Sequence, residues 1–305
     1  MAKRTQVMVD GKPLEVSNLD KVLYRETGFT KGELIDYYMR IAPVLLPHLK
    51  GRPLTLKRYP DGTDGFFFYE KNCPAHRPCW IKTTVVHSEK KDTEHCVIND
   101  LPSLIWVANL ASIELHTSLA LAKNVDRPTM LAFDLDPGPP ANILQCCRVA
   151  MWTRAILEEH GLKSYPKTSG SKGLQLYVPL NKAATYDQTK TFAHNMAEQL
   201  ERQHPELVVS KMSKALRNGK VFVDWSQNDR HKTTVCVYSL RAKAEPTVST
   251  PVTWQEVESA LKKNDAEKLV FTSADVLKRV EKQGDLFAPV LTEKQALPAF
   301  ASTSD

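Results

Sequence analysis

The stretch Phe133-Asp134-Leu135-Asp136-Pro137-Gly138 sets two carboxylates two residues apart at the end of an apolar run. On a strand such residues point to one face, and the Pro-Gly pair turns the chain just beyond them. Two hard oxygen donors on one face suit Mg2+ or Mn2+. A third acid, Asp224, closes a second apolar run, Val221-Phe222-Val223-Asp224-Trp225. Three such carboxylates are what a two-metal phosphoryl-transfer site asks of its ligands. The plainer reading of the first pair is a strand that ends in a solvated turn.

Between these runs lies Thr168-Ser169-Gly170-Ser171-Lys172-Gly173. Its backbone N–H groups could cradle an anion, with Ser169 adding a donor and Lys172 a positive charge for a triphosphate. The GxxxxGK[ST] spacing of a P-loop is absent, and an ordinary glycine turn is the competing account. Arg241, after Tyr238-Ser239-Leu240, is a further phosphate candidate, against the usual surface ion pair. His116 in Ile113-Glu114-Leu115-His116 sits just ahead of the acidic strand. Lys57-Arg58-Tyr59-Pro60 and Phe66-Phe67-Phe68-Tyr69 interleave cations with aromatics, a pattern suited to phosphates and stacked bases or to a core strand with a basic edge.

The elements that must hold these groups follow from periodicity. Alternation about Asp10-Gly11 predicts a hairpin over 7–16. Thr30 and Glu33 form a capping box ahead of Leu34, Tyr37, Tyr38, Ile41 and Leu45, which predicts a helix from 31 to 49. Strands are expected at 53–58, 65–70, 83–87 and 95–98, and a helix over 101–111. Further strands follow at Ile113–His116, at 129–136 and on either side of the glycine loop. Helices are expected at about 141–160, stopped by Gly161, and at 185–203. Strands recur near 207–211, 220–224 and 233–239, and two helices fill 253–285. No repeat or long linker breaks the chain, so one α+β domain over 1–305 is expected, with parts at 1–100, 101–250 and 251–305.

The 305 residues are 42% hydrophobic and 25% charged, which excludes disorder, collagen and coiled coil as the main character. The formal charge of +6 mildly favours a polyanionic partner. No apolar run approaches the roughly 20 residues that cross a bilayer, and the first residues carry no signal-peptide core, so a cytoplasmic protein is the expectation. The six cysteines are too few and uneven for a disulfide framework, and reduced thiols are expected. Cys73, His76 and Cys79 lie close together in CPAHRPC, but without a CxxC pair a loop with incidental thiols is preferred to a zinc site.

Taken in order, FDLDP, TSGSKGLQLYVPL, KVFVDWSQN and HKTTVCVYSLRA resemble the polymerase domain of bacterial ligase D, within the archaeo-eukaryotic primase superfamily. The likeness runs from about Ser17 to Asp285. It implies a primase-like core of antiparallel and mixed sheets flanked by helices, with an N-terminal α/β extension. By that resemblance Asp134, Asp136 and Asp224 are the catalytic, metal-binding carboxylates, and His116, Ser169, Lys172 and Arg241 hold the nucleotide triphosphate. Asn18, Lys21 and Lys31 correspond to the family's readers of a downstream 5′-phosphate, and Lys31 near a helix N-terminus is apt because the helix dipole and free N–H groups favour a phosphate. Phe68, beside Lys57 and Arg58, matches the template-stacking aromatic, and Arg217 a basic residue near the template end. One departure is Gln175, where many relatives carry His.

The implied activity is template-directed nucleotidyl transfer, with two Mn2+ or Mg2+ ions and NTP or dNTP as substrate. It would fill gaps and extend ends in non-homologous end joining. Implied partners are DNA ends or gaps with a 5′-phosphate, Ku and an ATP-dependent DNA ligase, at the nucleoid and away from any membrane. The competing readings are a catalytically inactive DNA-end-binding module and a primase that starts chains unaided.

Overall fold

A computed structural model describes residues 4–89 and 91–299. The chain divides into two compact units, each assembled from separated stretches. The first takes Met1–Ser118, Thr233–Ser249 and Phe271–Asp285, and the second takes Leu119–Lys232, Thr250–Val270 and Leu286–Asp305.

The first unit is built on a six-stranded antiparallel sheet. Its order is Thr234–Val235, Ser112–Thr117, Pro53–Arg58, Thr93–Val97 and Lys82–Val86, with Phe68–Glu70 also pairing with Pro53–Arg58. The Lys31–Leu49 helix carries the expected capping box and buries Leu34, Tyr37, Tyr38, Ile41 and Leu45. Tyr37 donates its hydroxyl to the Tyr238 carbonyl at 2.8 Å and Tyr38 donates to the Ile113 carbonyl at 2.7 Å, so these buried rings leave no polar atom stranded. The predicted hairpin forms from Arg4–Val9 and Lys12–Ser17, with Asp10 and Gly11 at φ 46° and 73°.

The second unit holds a five-stranded sheet ordered Tyr165–Thr168, Leu174–Pro179, Met130–Pro137, Val221–Asp224 and Val208–Val209. All neighbours are antiparallel except the last pair. Helices Ile143–Glu159, Tyr186–Gln203 and Trp254–Lys263 belong to this unit. Gly161, at φ 71°, follows the first of them as expected. Mixed but largely antiparallel sheets with segregated helices make the chain α+β.

Three expected strands are shorter than their sequence pattern. Residues 65–70 yield only Phe68–Glu70, 207–211 only Val208–Val209, and 233–239 only Thr234–Val235, where Tyr238 at φ 64° turns the chain out of the ladder. The cysteine expectation is corrected: Cys73 and Cys96 are disulfide-bonded. The Cys73 N–H donates to the Glu94 carbonyl at 2.6 Å, which lays the loop beside the Thr93–Val97 strand, a proximity that 23 residues of separation conceal. Cys79 is exposed, and among the described residues no His, Cys, Asp or Glu group is assembled around a metal position. None of the described helices is long and apolar enough to cross a membrane.

Candidate active site

In the second unit, Asp134 stands opposite Asp224 across the Met130–Pro137 and Val221–Asp224 strands. Opposed residues share a face, as do residues two apart, so Asp134, Asp136 and Asp224 all project from one side of the sheet. Asp136 is exposed, Asp134 half-buried and Asp224 buried. Asp134 Oδ1 is buried without a hydrogen-bond partner. Burial first, then the charge of Asp136 and more weakly that of Asp224, raises the Asp134 carboxyl well above the ordinary range, against a hydrogen bond from Gln175 and the charge of Lys167.

An orphaned carboxylate oxygen among crowded like charges is a site that a divalent cation would relieve, so hard oxygen chemistry fits these residues. The cage is not closed as it stands. Asp224 Oδ1 accepts from the Ser226 N–H at 2.9 Å and the Ser226 hydroxyl at 2.5 Å, and Oδ2 accepts from Gln227 Nε2 at 2.7 Å. Asp224 therefore caps its own turn and must exchange those bonds to join a shared ion.

The glycine loop touches the same strand. A Cβ on Gly173 would lie 2.1 Å from the Leu135 carbonyl oxygen, so only glycine lets the loop press between the two aspartates of that strand. The expected backbone cradle is partly spent, since Ser169 Oγ accepts from the N–H groups of Ser171 and Gly173 at 3.2 and 3.1 Å. Lys172 is exposed and supplies the charge. Arg217 lies in this unit too, its guanidinium 3.7 Å from the centre of the Phe222 ring and its Nη2 donating to the Met212 carbonyl at 2.9 Å. Gly138 faces it so closely that a Cβ would fall 1.8 Å from the Arg217 oxygen.

In the first unit the centre is a residue that the sequence reading passed over, Glu114, 2% exposed. Its carboxylate lies 3.0 Å from His116 Nε2, 3.3 Å from Arg241 Nε and 3.5 Å from Lys57 Nζ, and accepts from the Tyr59 hydroxyl at 3.3 Å and the Ala242 N–H at 3.2 Å. Burial opposes its charge, yet these partners hold it well below the usual carboxylate range. Burial lowers the His116 ring pKa and outweighs Glu114, so the ring is neutral near pH 7. The signal for Glu114 was its place two residues before His116, on the same strand face.

Lys57 lies over the Phe67, Tyr59 and Tyr69 rings at 4.5, 5.2 and 5.3 Å. Arg58 turns elsewhere, donating to Glu70 at 2.8 Å and to the Leu110 carbonyl at 3.0 Å, with Phe68 at 5.2 Å. Phe66, 71% exposed, stacks on Phe68 at 5.9 Å.

Asn18, Lys21 and Lys31 also gather in this unit. Asn18 takes φ 53° and its carbonyl accepts from the Lys21 N–H at 3.0 Å. Lys21 pairs with Asp61 at 3.0 Å, and Lys31, 5% exposed, donates to the Ser17 carbonyl at 2.7 Å. Burial, then the charges of Lys21 and Arg58, lowers the Lys31 pKa to about 8. The expectation of open helix N–H groups is corrected. The N–H of Lys31 goes to the Lys21 carbonyl, that of Gly32 to the Leu19 carbonyl and that of Glu33 to Thr30 Oγ1. What is left for an anion is side-chain charge and the helix dipole.

The family model described as LigD, primase-polymerase domain, matches residues 30–287. The multifunctional non-homologous end joining protein LigD of Mycolicibacterium smegmatis is 41% identical over 292 residues, 95% of this chain and 38% of that protein. The bifunctional non-homologous end joining protein LigD of Bacillus subtilis is 34% identical over 301 residues, 97% of this chain and 48% of that protein. The chain thus spans less than half the length of these curated relatives. A solved polymerase domain from Mycobacterium tuberculosis ligase D, in complex with DNA, superposes with a TM-score of 0.85 at 37% identity, covering 92% of this chain and 99% of that one.

Proposed function

The chain belongs to the LigD primase-polymerase domain family, and from that premise we propose that it is a template-directed nucleotidyltransferase that fills gaps and extends ends in non-homologous end joining. The observation that carries the proposal is the placing of Asp134, Asp136 and Asp224 on one sheet face, with Asp134 Oδ1 buried and unbonded.

Asp134 and Asp136, joined by Asp224, would hold two divalent cations, Mn2+ or Mg2+. When bound, such ions acidify the attacking 3′-hydroxyl and offset the charge of the triphosphate and its leaving group. The chain's own residues supply the rest. Lys172 brings an exposed positive charge beside the carboxylate strand, and Ser169 fixes the loop that carries it. Arg241 offers a planar guanidinium, and His116 a neutral ring held through Glu114. We assign these four to the triphosphate of an incoming NTP or dNTP.

Asn18, Lys21 and Lys31 would read the 5′-phosphate across a gap, where Lys21, Lys31 and Arg58 bring three positive charges close enough to favour an anion. Phe68 would stack a template base, with Lys57 and Arg58 ordering the aromatic strip, and Arg217 would contact the strand near the template end. Ku and an ATP-dependent DNA ligase are the partners that this role calls for. On this reading residues 1–305 form one primase-polymerase domain.

The test is extension of a primer across a short gap with a downstream 5′-phosphate, with ribo- and deoxynucleotides and Mn2+ or Mg2+. Metal-dependent extension by the wild type, lost in Asp136→Ala with gap binding retained, is the expected result. Binding without extension under either metal would leave an end-binding module, and products without a primer would mark a primase.

A further inference from the structure

Four side chains form a row across the five-stranded sheet. Lys167 stands opposite Gln175, Gln175 opposite Asp134, and Asp134 opposite Asp224. Opposed residues share a face, so the row runs in one layer from the sheet edge to the carboxylates. Lys167 is fully buried and Gln175 is 4% exposed. A lysine is almost never fully buried without a partner that repays the loss of water. The nucleotidyl-transfer reading gives Lys167 no part.

The partner fixes a direction. Lys167 Nζ donates to Gln175 Oε1 at 2.5 Å, and the Gln175 side chain is in turn hydrogen-bonded to Asp134. A carboxamide has one accepting end and one donating end. With the oxygen engaged by Lys167, the NH2 end is the one that meets the carboxylate. Asp134 keeps its other oxygen, Oδ1, buried and unbonded. Without Lys167 the amide could turn about its terminal torsion, which is broad and nearly two-fold, and set its oxygen against the carboxylate.

We infer that Lys167 and Gln175 are a positioning pair, Lys167 orienting the Gln175 amide and Gln175 holding Asp134 so that Oδ1 faces the divalent cation. This rests on the polymerase reading of the same carboxylates. It also gives Gln175 the task left open by its departure from the relatives' histidine, since a neutral imidazole likewise offers one acceptor and one donor.

Charge and orientation predict opposite outcomes. If Lys167 acted only as a nearby cation, its removal would tighten binding of a second cation. If it orients Gln175, its removal weakens that binding. The experiment is titration of the whole chain with Mn2+ alone, the free ion followed by electron paramagnetic resonance, alongside thermal melting. Lys167→Met and Gln175→Leu are expected to bind Mn2+ about tenfold more weakly than wild type, as loss of a ligand-orienting partner does elsewhere, while still melting cooperatively. Gln175→His is expected to stay close to wild type. Unchanged or tighter Mn2+ binding in folded Lys167→Met overturns the inference. Should Lys167→Met not fold, Gln175→Leu decides in the same way. Absence of Mn2+ binding by the wild type would overturn the metal reading itself, and this inference with it.

Discussion

The Glu114 carboxylate lies 3.3 Å from the Arg241 guanidinium, although 127 positions separate the two residues in the chain. A buried acid thereby holds an arginine that the 233–242 segment alone would leave as a mobile surface group. The same acid orders His116 and Lys57, so one side chain links three cationic or hydrogen-bonding groups proposed for ligand contact.

Removing that acid should therefore be severe. Glu114→Ala leaves Lys57 and Arg241 without their buried counter-charge and is expected to cost about 3–5 kcal/mol. Denaturant unfolding measures it. Glu114→Gln, which retains shape, should fold and raise the KM for nucleotide more than it lowers kcat. An unchanged KM would remove Glu114 from nucleotide binding.

Asp134 makes a prediction about pH. Its folded carboxyl titrates above the unfolded one, so the neutral form favours the fold. That contribution is fully present below the ordinary carboxylate range and is lost as pH rises toward neutrality. Metal-free protein should thus lose stability over this interval. Asp134→Asn should flatten the loss, and Mn2+ should reverse it in the wild type. Melting curves from pH 4 to 8 with and without the ion test all three statements.

Lys31 titrates near pH 8, with its charged form disfavoured by burial and by Lys21 and Arg58. Binding of a 5′-phosphorylated gap should weaken as pH rises through that value, while an unphosphorylated gap shows little change. In Lys31→Met the step should vanish, and the slope of log K against log salt should fall by about one. Fluorescence anisotropy at several pH and salt values provides the measurement.

Gly173→Ala puts a methyl group 2.1 Å from the Leu135 carbonyl oxygen, and neither backbone can yield freely. The expected cost is about 1–3 kcal/mol, accompanied by loss of extension through displacement of Asp134 and Asp136. Retained activity with a normal melting temperature would mean that the strand tolerates the shift.

The elements with strong local signals were legible in the sequence. The Lys31–Leu49 helix announces itself by its capping box and apolar stripe, and the acidic strand by DLDPG. Asp224 was legible as a third acid at a strand end, and the ladder pairs it with Asp134. Tertiary geometry hid the rest. Nothing local tells that Cys73 meets Cys96, or that the N–H groups of Lys31 and Gly32 are taken by the carbonyls of Lys21 and Leu19. Glu114 was hidden because its two cations, Lys57 and Arg241, come from distant segments. The lengths of the 65–70, 207–211 and 233–239 strands failed where a local apolar pattern outran the ladder, most plainly near Tyr238.

The interleaved chain path bears on synthesis. A ribosome delivers residues in order, yet the first unit needs 233–249 and 271–285, and the second needs 250–270 and the residues after 285. When residue 232 emerges, the Ser112–Thr117 strand still lacks its Thr234–Val235 neighbour, and Glu114 has no Arg241. Neither unit can close while the nascent polypeptide is short of residue 285, so its buried charges stay wet until that residue has emerged. Arrested nascent chains ending between 232 and 270 should be open to protease in both units, whereas the released protein is resistant.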